Sequence, residues 1–117
     1  MSAAFVSRDE GKGSWLGIGN VEAVVVRAAG AARPVRESLF LWPGVVGQNI
    51  RSLRASALEL CPGDALVFAT DGIRGNFVES LSALDAPERL ATQVLTTYGK
   101  STDDALVLAA RYLGVAP

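Results

Sequence analysis

The sequence contains no histidine. Histidine-based triads, histidine-ligated zinc and histidine general bases are therefore excluded. Cysteine is nearly absent too: Cys61 stands alone and cannot close an internal disulfide, which makes an intracellular, cytoplasmic location the expectation. There is no block of one charge. The 11 basic and 12 acidic residues nearly cancel, so nucleic acid is not an expected partner. No apolar run approaches the about 18 residues that cross a membrane. The opening Met1-Ser2-Ala3-Ala4-Phe5 lacks the basic and long apolar regions of a signal peptide. Internal repeats and low-complexity segments are also missing. Catalysis, if present, must come from carboxylates, hydroxyls, Lys or Arg, Cys61, or a metal held by oxygen ligands.

What is present is the composition of a folded domain. Half of the 117 residues are hydrophobic and a fifth are charged, which suits one globular domain with a real core. Strands are expected over 2–8, 14–19, 21–28, 37–42, 55–60 and 105–111, from β-branched runs, alternation and turn signals between them. The loop 9–13 joins the first two as a hairpin, and Gly17 and Gly19 mark close backbone approach or a bulge. Gly44-Val45-Val46-Gly47 reads as a tight loop with an apolar tip. After residue 72 the texture changes. Asn76-Phe77-Val78-Glu79 has capping-box spacing, which predicts a short helix over 77–83. Asp85-Ala86-Pro87-Glu88 predicts a second helix running to Tyr98, with Leu90, Val94, Leu95 and Tyr98 inward and Gly99 as terminator. Strands, then helices, then a strand give an α+β fold: an antiparallel sheet or sandwich with helices packed on one side.

The chain is organised around residues 63–72. A Pro-Gly-Asp turn launches the apolar run Ala65-Leu66-Val67-Phe68-Ala69, read as a strand buried on both faces, and the run stops at Thr70-Asp71-Gly72. A carboxylate held at a strand end beside a permissive glycine can ligate a hard cation. The plain alternative is that Asp71-Gly72 is only a turn. A second acidic stretch, Ser101-Thr102-Asp103-Asp104-Ala105, precedes the last strand. Alone, these acids read as solvated loop residues. If the two strands are neighbours, Asp71 and Asp103 can share one divalent ion, and oxygen-only ligation suits Mg²⁺ or Mn²⁺.

Residues 62–73 followed by Thr102-Asp103-Asp104-Ala105 resemble the metal-dependent protein phosphatase (PPM) family, in its bacterial SpoIIE-like branch. Gly17-Ile18-Gly19-Asn20-Val21-Glu22-Ala23, with Trp15 and Gly44-Val45-Val46-Gly47, is especially similar to the RsbX-type phosphatases. The resemblance covers roughly residues 5–111 and corresponds to the C-terminal half of the family domain, so residues 1–117 are expected to form a single partial domain. It implies metal-dependent hydrolysis of phosphoserine or phosphothreonine on a sigma-factor or stressosome signalling protein. Two Mn²⁺ or Mg²⁺ ions would activate a water, with Asp71 and Asp103 as metal ligands and Asp104 in support. Three departures bear on this. The family's earlier Asp-Gly segment has no counterpart here, Leu106 stands where the family often has Thr, and Asn20 where many relatives have Asp. The alternative is a non-catalytic protein-interaction module with the phosphatase fold.

Other residues carry less. Cys61 beside Pro62 lacks a base and is a poor nucleophile. Trp15 and Trp42 read as core or edge packing rather than a ligand cage. Arg74 either meets a substrate phosphate or is a solvated loop charge. Gly11-Lys12-Gly13 is too short to cradle a phosphate. A sandwich cut between strands exposes an apolar face, so a homodimer covering that face is expected.

Overall fold

The computed structural model describes residues 2–7, 10–19, 21–28, 35–39, 41–42, 55–101 and 104–114. Asn20, the loop 44–47, the side chain of Trp42 and Asp103 lie outside them. Two sheets and a helical layer are stacked. Sheet A contains β1 (Ser2–Val6), β2 (Lys12–Ile18), β5 (Leu41–Trp42) and β6 (Ser56–Glu59). Strand β1 pairs antiparallel with β2, from Ser2↔Gly17 to Val6↔Gly13. On the other side of β2, β6 pairs with its first half and β5 with its end, so sheet A is three strands wide. Sheet B contains β3 (Glu22–Val26), β4 (Arg36–Ser38), β7 (Ala65–Ala69) and β8 (Val107–Arg111), fully antiparallel in the order β4-β3-β7-β8.

Strand β3 is central because both of its faces can be buried. Val24 and Val26 point toward the helical layer, with Val67, Ala65 and Ala69 of β7 beside them. Ala23 and Val25 point the other way, into an inter-sheet core with Trp15, Leu58 and Leu60. The alternation expected over 55–60 holds: Leu58 and Leu60 are buried while Ala57 and Glu59 are exposed. Helix α1 (Pro87–Tyr98) covers the outer face of sheet B through Leu90 and Val94, both 1% exposed. The α+β reading, with helices on one side, is the fold observed.

Four local expectations are corrected. Residues 37–42 are not one strand. β4 stays in sheet B as far as Ser38↔Val24, Leu39 turns inward and donates its N–H to the Ala23 carbonyl at 2.8 Å, and β5 then joins sheet A. The apolar run is long enough to touch both layers, so the chain wraps the sandwich edge. Residues 77–83 are not an α-helix: Gly75–Ser80 forms a 3-10 helix with Arg74 at its start and no side-chain cap. Tertiary anchoring overrides the capping-box pattern. Arg74 N–H is tied to the Tyr98 carbonyl at 2.8 Å while Phe77 and Leu81 must both reach the core. Leu95 is not inward but 46% exposed, because the buried stripe is spaced at four residues, 90, 94 and 98. Finally, β7 is fully buried on one face only. Leu66 and Phe68 on the other face are half-buried and border a cavity between the sheets.

The turn that launches β7 is fastened by charge. Gly63 takes a left-handed φ of 98°, which favours glycine. Asp64, 2% exposed, accepts N–H bonds from Ala28 (2.8 Å) and Cys61 (2.9 Å) and one from the Arg27 guanidinium (3.0 Å). Arg27 is 5% exposed and also donates to Glu37 at 2.7 Å and to the Glu59 carbonyl. Arg27, through ion pairs with Asp64 and Glu37 and a bond to the Glu59 carbonyl, thus ties together β3, β4, β6 and β7.

Candidate functional site

The site is the end of sheet B where β7 stops and β8 starts. Pairing of Ala69 with Val107 brings the two acidic stretches side by side. The ladder continues one step past the strands. Thr70 N–H donates to the Leu106 carbonyl at 3.1 Å, and the Leu106 N–H donates to Thr70 Oγ1 at 2.9 Å. Beyond Thr70 the chain is hemmed in on the opposite flank. The Lys100 N–H donates to the Gly72 carbonyl at 2.7 Å, Ile73 bridges Gly99, and the Lys100 ammonium rests on the Asp71 carbonyl at 2.8 Å.

Gly72 makes the close approach possible. It is buried, and a β-carbon there would collide with the carbonyl of Asp104. The glycine is therefore required by contact with the second acidic stretch rather than by a left-handed angle. Asp71 and Asp104 themselves are exposed, set on a rigid frame but open to solvent. The condition that the two strands be neighbours is met. Asp103 lies outside the described residues, bonded to Asp104.

The donor chemistry here is hard oxygen, of the kind Mg²⁺ and Mn²⁺ take. Among the described residues, which leave out Asp103, no group of three or more acidic or cysteine side chains is placed to hold a metal. One ion ligated by one or two carboxylates, with water and phosphate oxygens completing its shell, is what such a set fits. Glu22, partly buried at the start of β3 and paired with Ala69, is a further carboxylate at this end of the sheet.

Arg74 is exposed three residues past Asp71. Trp15 is 3% exposed and is core. Cys61 is exposed, and its N–H serves Asp64. Sequence reasoning missed Thr70, Lys100 and the Arg27–Asp64 pair. For Arg27 a signal existed: a lone charge directly after the apolar run Ala23–Val26. For Lys100 there was none, because its role depends on where the helix returns the chain. No helix among the described residues is long and apolar enough to cross a membrane.

No protein-family model matches the chain, and no curated protein matches it either. Two solved structures are similar. One is from work on the bacterial stressosome, described as a modular system adapted to control secondary messenger signalling: 24% identity, TM-score 0.72, over 94% of this chain. The other is the phosphatase domain of the cell-fate determinant SpoIIE from Bacillus subtilis: 18% identity, TM-score 0.70, over the whole of this chain. This chain spans 57% of the length of each. The two-sheet α+β arrangement described above is accordingly the fold that the SpoIIE phosphatase domain shows over that portion of its length.

Proposed function

We propose that this chain is a phosphatase-fold module of bacterial signalling that acts on phosphoserine or phosphothreonine of a sigma-factor or stressosome protein in the cytoplasm, in the manner of the RsbX-type enzymes. Asp71 and Asp103 are its ligands for Mn²⁺ or Mg²⁺. The observation that supports this best is the juxtaposition of Asp71-Gly72 with Asp104, locked by Thr70 and Leu106. The fold likeness to the SpoIIE phosphatase domain agrees with it.

A divalent ion bound there supplies a water of lowered pKa and charge for the phosphoryl oxygens. The chain's own residues do the positioning. Asp71 follows the end of β7, Lys100 holds its carbonyl, and in this reading the exposed Arg74 meets a phosphate oxygen. No protein nucleophile is needed, in keeping with a sequence without histidine.

A second reading, a non-catalytic interaction module that recognises the same signalling partner, is favoured by the small number of convergent carboxylates among the described residues. Hydrolysis of p-nitrophenyl phosphate with and without Mn²⁺ separates the two. The phosphatase reading expects Mn²⁺-dependent turnover that is lost in Asp71→Asn and Asp103→Asn. Absence of turnover at millimolar Mn²⁺ refutes it and leaves the interaction module.

A further inference from the structure

Glu22 opens β3, and the alternation of that strand sets the direction of its side chain. Val24 and Val26 face the helical layer, so Glu22, two residues earlier, faces the same way. There it borders a cavity of about 210 Å³ between the paired ends of β3 and β4 and the 3-10 helix, together with Ala23, Ser38, Leu39, Gly75 and Val78. The carboxylate is half-buried, yet among the described residues it has no hydrogen-bond or ion-pair partner. Gly75 keeps the space open. A β-carbon there would come within 4 Å of one atom outside its own helix, Glu22 Oε1 at 4.0 Å.

A partly desolvated carboxylate without a donor is stabilised by a cation that supplies both charge and N–H groups. A divalent ion does not suit this cavity, because one carboxylate and the Ser38 hydroxyl are too few ligands for Mg²⁺ or Mn²⁺. The rest of the border, Ala23, Leu39, Gly75 and Val78, is uncharged and suits the methylene stem of a basic side chain. The cavity also lies beside the candidate site. Glu22 pairs with Ala69, two residues before Asp71. Strand spacing and rise put the α-carbons of Glu22 and Asp71 roughly 8 Å apart. An extended peptide covers that distance in two or three residues.

We infer that this cavity is a subsite for a lysine or arginine side chain of the partner protein, two or three residues from its phosphoserine or phosphothreonine. Glu22 is the residue that determines this preference, accepting the ammonium or guanidinium N–H groups at its carboxylate. Arg74 directly precedes Gly75, so a cation for the phosphate and an anion for the basic side chain stand on the two sides of that glycine. The inference rests on the reading that a phosphorylated signalling protein is bound at this end of sheet B. It does not require that the phosphate be hydrolysed.

Peptide binding to the full chain tests it. The probes are fluorescent peptides built on a non-hydrolysable phosphonate analogue of phosphoserine, with Lys, Gln or Glu two or three residues to either side. Anisotropy in the presence of Mn²⁺ gives the ratio of affinities within each protein variant, so a change in overall affinity cancels. In wild type a lysine peptide should bind about tenfold more tightly than its glutamine counterpart. Glu22→Gln should bring that ratio to about one. Glu22→Lys should reverse it in favour of the glutamate peptide, which a merely structural role for Glu22 would not do. Gly75→Val leaves the carboxylate in place but fills the cavity, so it should lower the ratio while circular dichroism matches wild type. Hydrolysis of p-nitrophenyl phosphate, measured alongside, reports on the phosphatase reading separately. Turnover without a lysine preference overturns this inference and keeps that reading, and a lysine preference without turnover does the reverse. A wild type that binds lysine peptides no better than glutamine peptides up to millimolar protein overturns the inference. So does a preference that survives Glu22→Gln.

Discussion

Replacing Asp64 with Ala should unfold this protein more effectively than any change at its candidate site. Asp64 is 2% exposed and is the counter-charge of Arg27, which is 5% exposed. It also takes the N–H groups of Ala28 and Cys61. Breaking a buried pair by removing one partner costs about 3–5 kcal/mol, because the remaining charge stays desolvated. The two orphaned amides lie in the same network, so their cost overlaps with this rather than adding in full. A domain of this size has a total stability of about 5–15 kcal/mol. The substitution is therefore expected to remove about a fifth of it or more. Urea unfolding followed by the fluorescence of Trp15, buried between the sheets, reads the loss as a fall in midpoint at unchanged slope. Two companions sharpen the test. Glu37→Gln should cost no more than about 1 kcal/mol, since Glu37 is 47% exposed and water replaces it. Arg27→Met should cost less than Asp64→Ala, since Asp64 can keep its two backbone N–H bonds. If Asp64→Ala costs less than about 1 kcal/mol, the view that this buried pair fastens the strands around it is wrong.

Two further outcomes are expected. Gly72→Ala drives a β-carbon into the Asp104 carbonyl, so the two acidic stretches must part. A loss of about 1–3 kcal/mol should come with a larger loss of Mn²⁺ affinity, measured by calorimetry, than an Ala substitution at the exposed Asn76 causes. Leu90→Ala empties the contact between α1 and sheet B and should cost about 2–5 kcal/mol by thermal or urea unfolding. Leu95→Ala, on the half-exposed flank of the same helix, should cost far less.

Much of the architecture could be read from residue order. Period-two alternation at Ser56–Glu59, the apolar runs of Glu22–Val26 and Ala65–Ala69, and Pro87 opening a helix that ends before Gly99 are local signals, set by chain geometry and independent of neighbours. The absence of histidine excluded whole reaction classes at once. So much the sequence determined by itself. Other features depend on which segments meet. Whether 37–42 was one strand or two depended on the distance between layers, which no local pattern encodes. The 3-10 helix at Gly75–Ser80 arose because Arg74 and Ile73 were already tied to the end of α1. Asp64, written as an ordinary turn acid, became the buried acid because Arg27 lies 37 residues away in sequence and 3.0 Å away in space. Thr70 and the backbone of Asp104 meet Asp71-Gly72 through the β7–β8 pairing, and Lys100 reaches it where α1 returns the chain at Gly99. Local sequence sets the kind of each element through backbone and side-chain periodicity. Tertiary structure alone decided which acidic stretches were brought together and which charge was buried, because those outcomes rest on contacts between residues far apart in the chain.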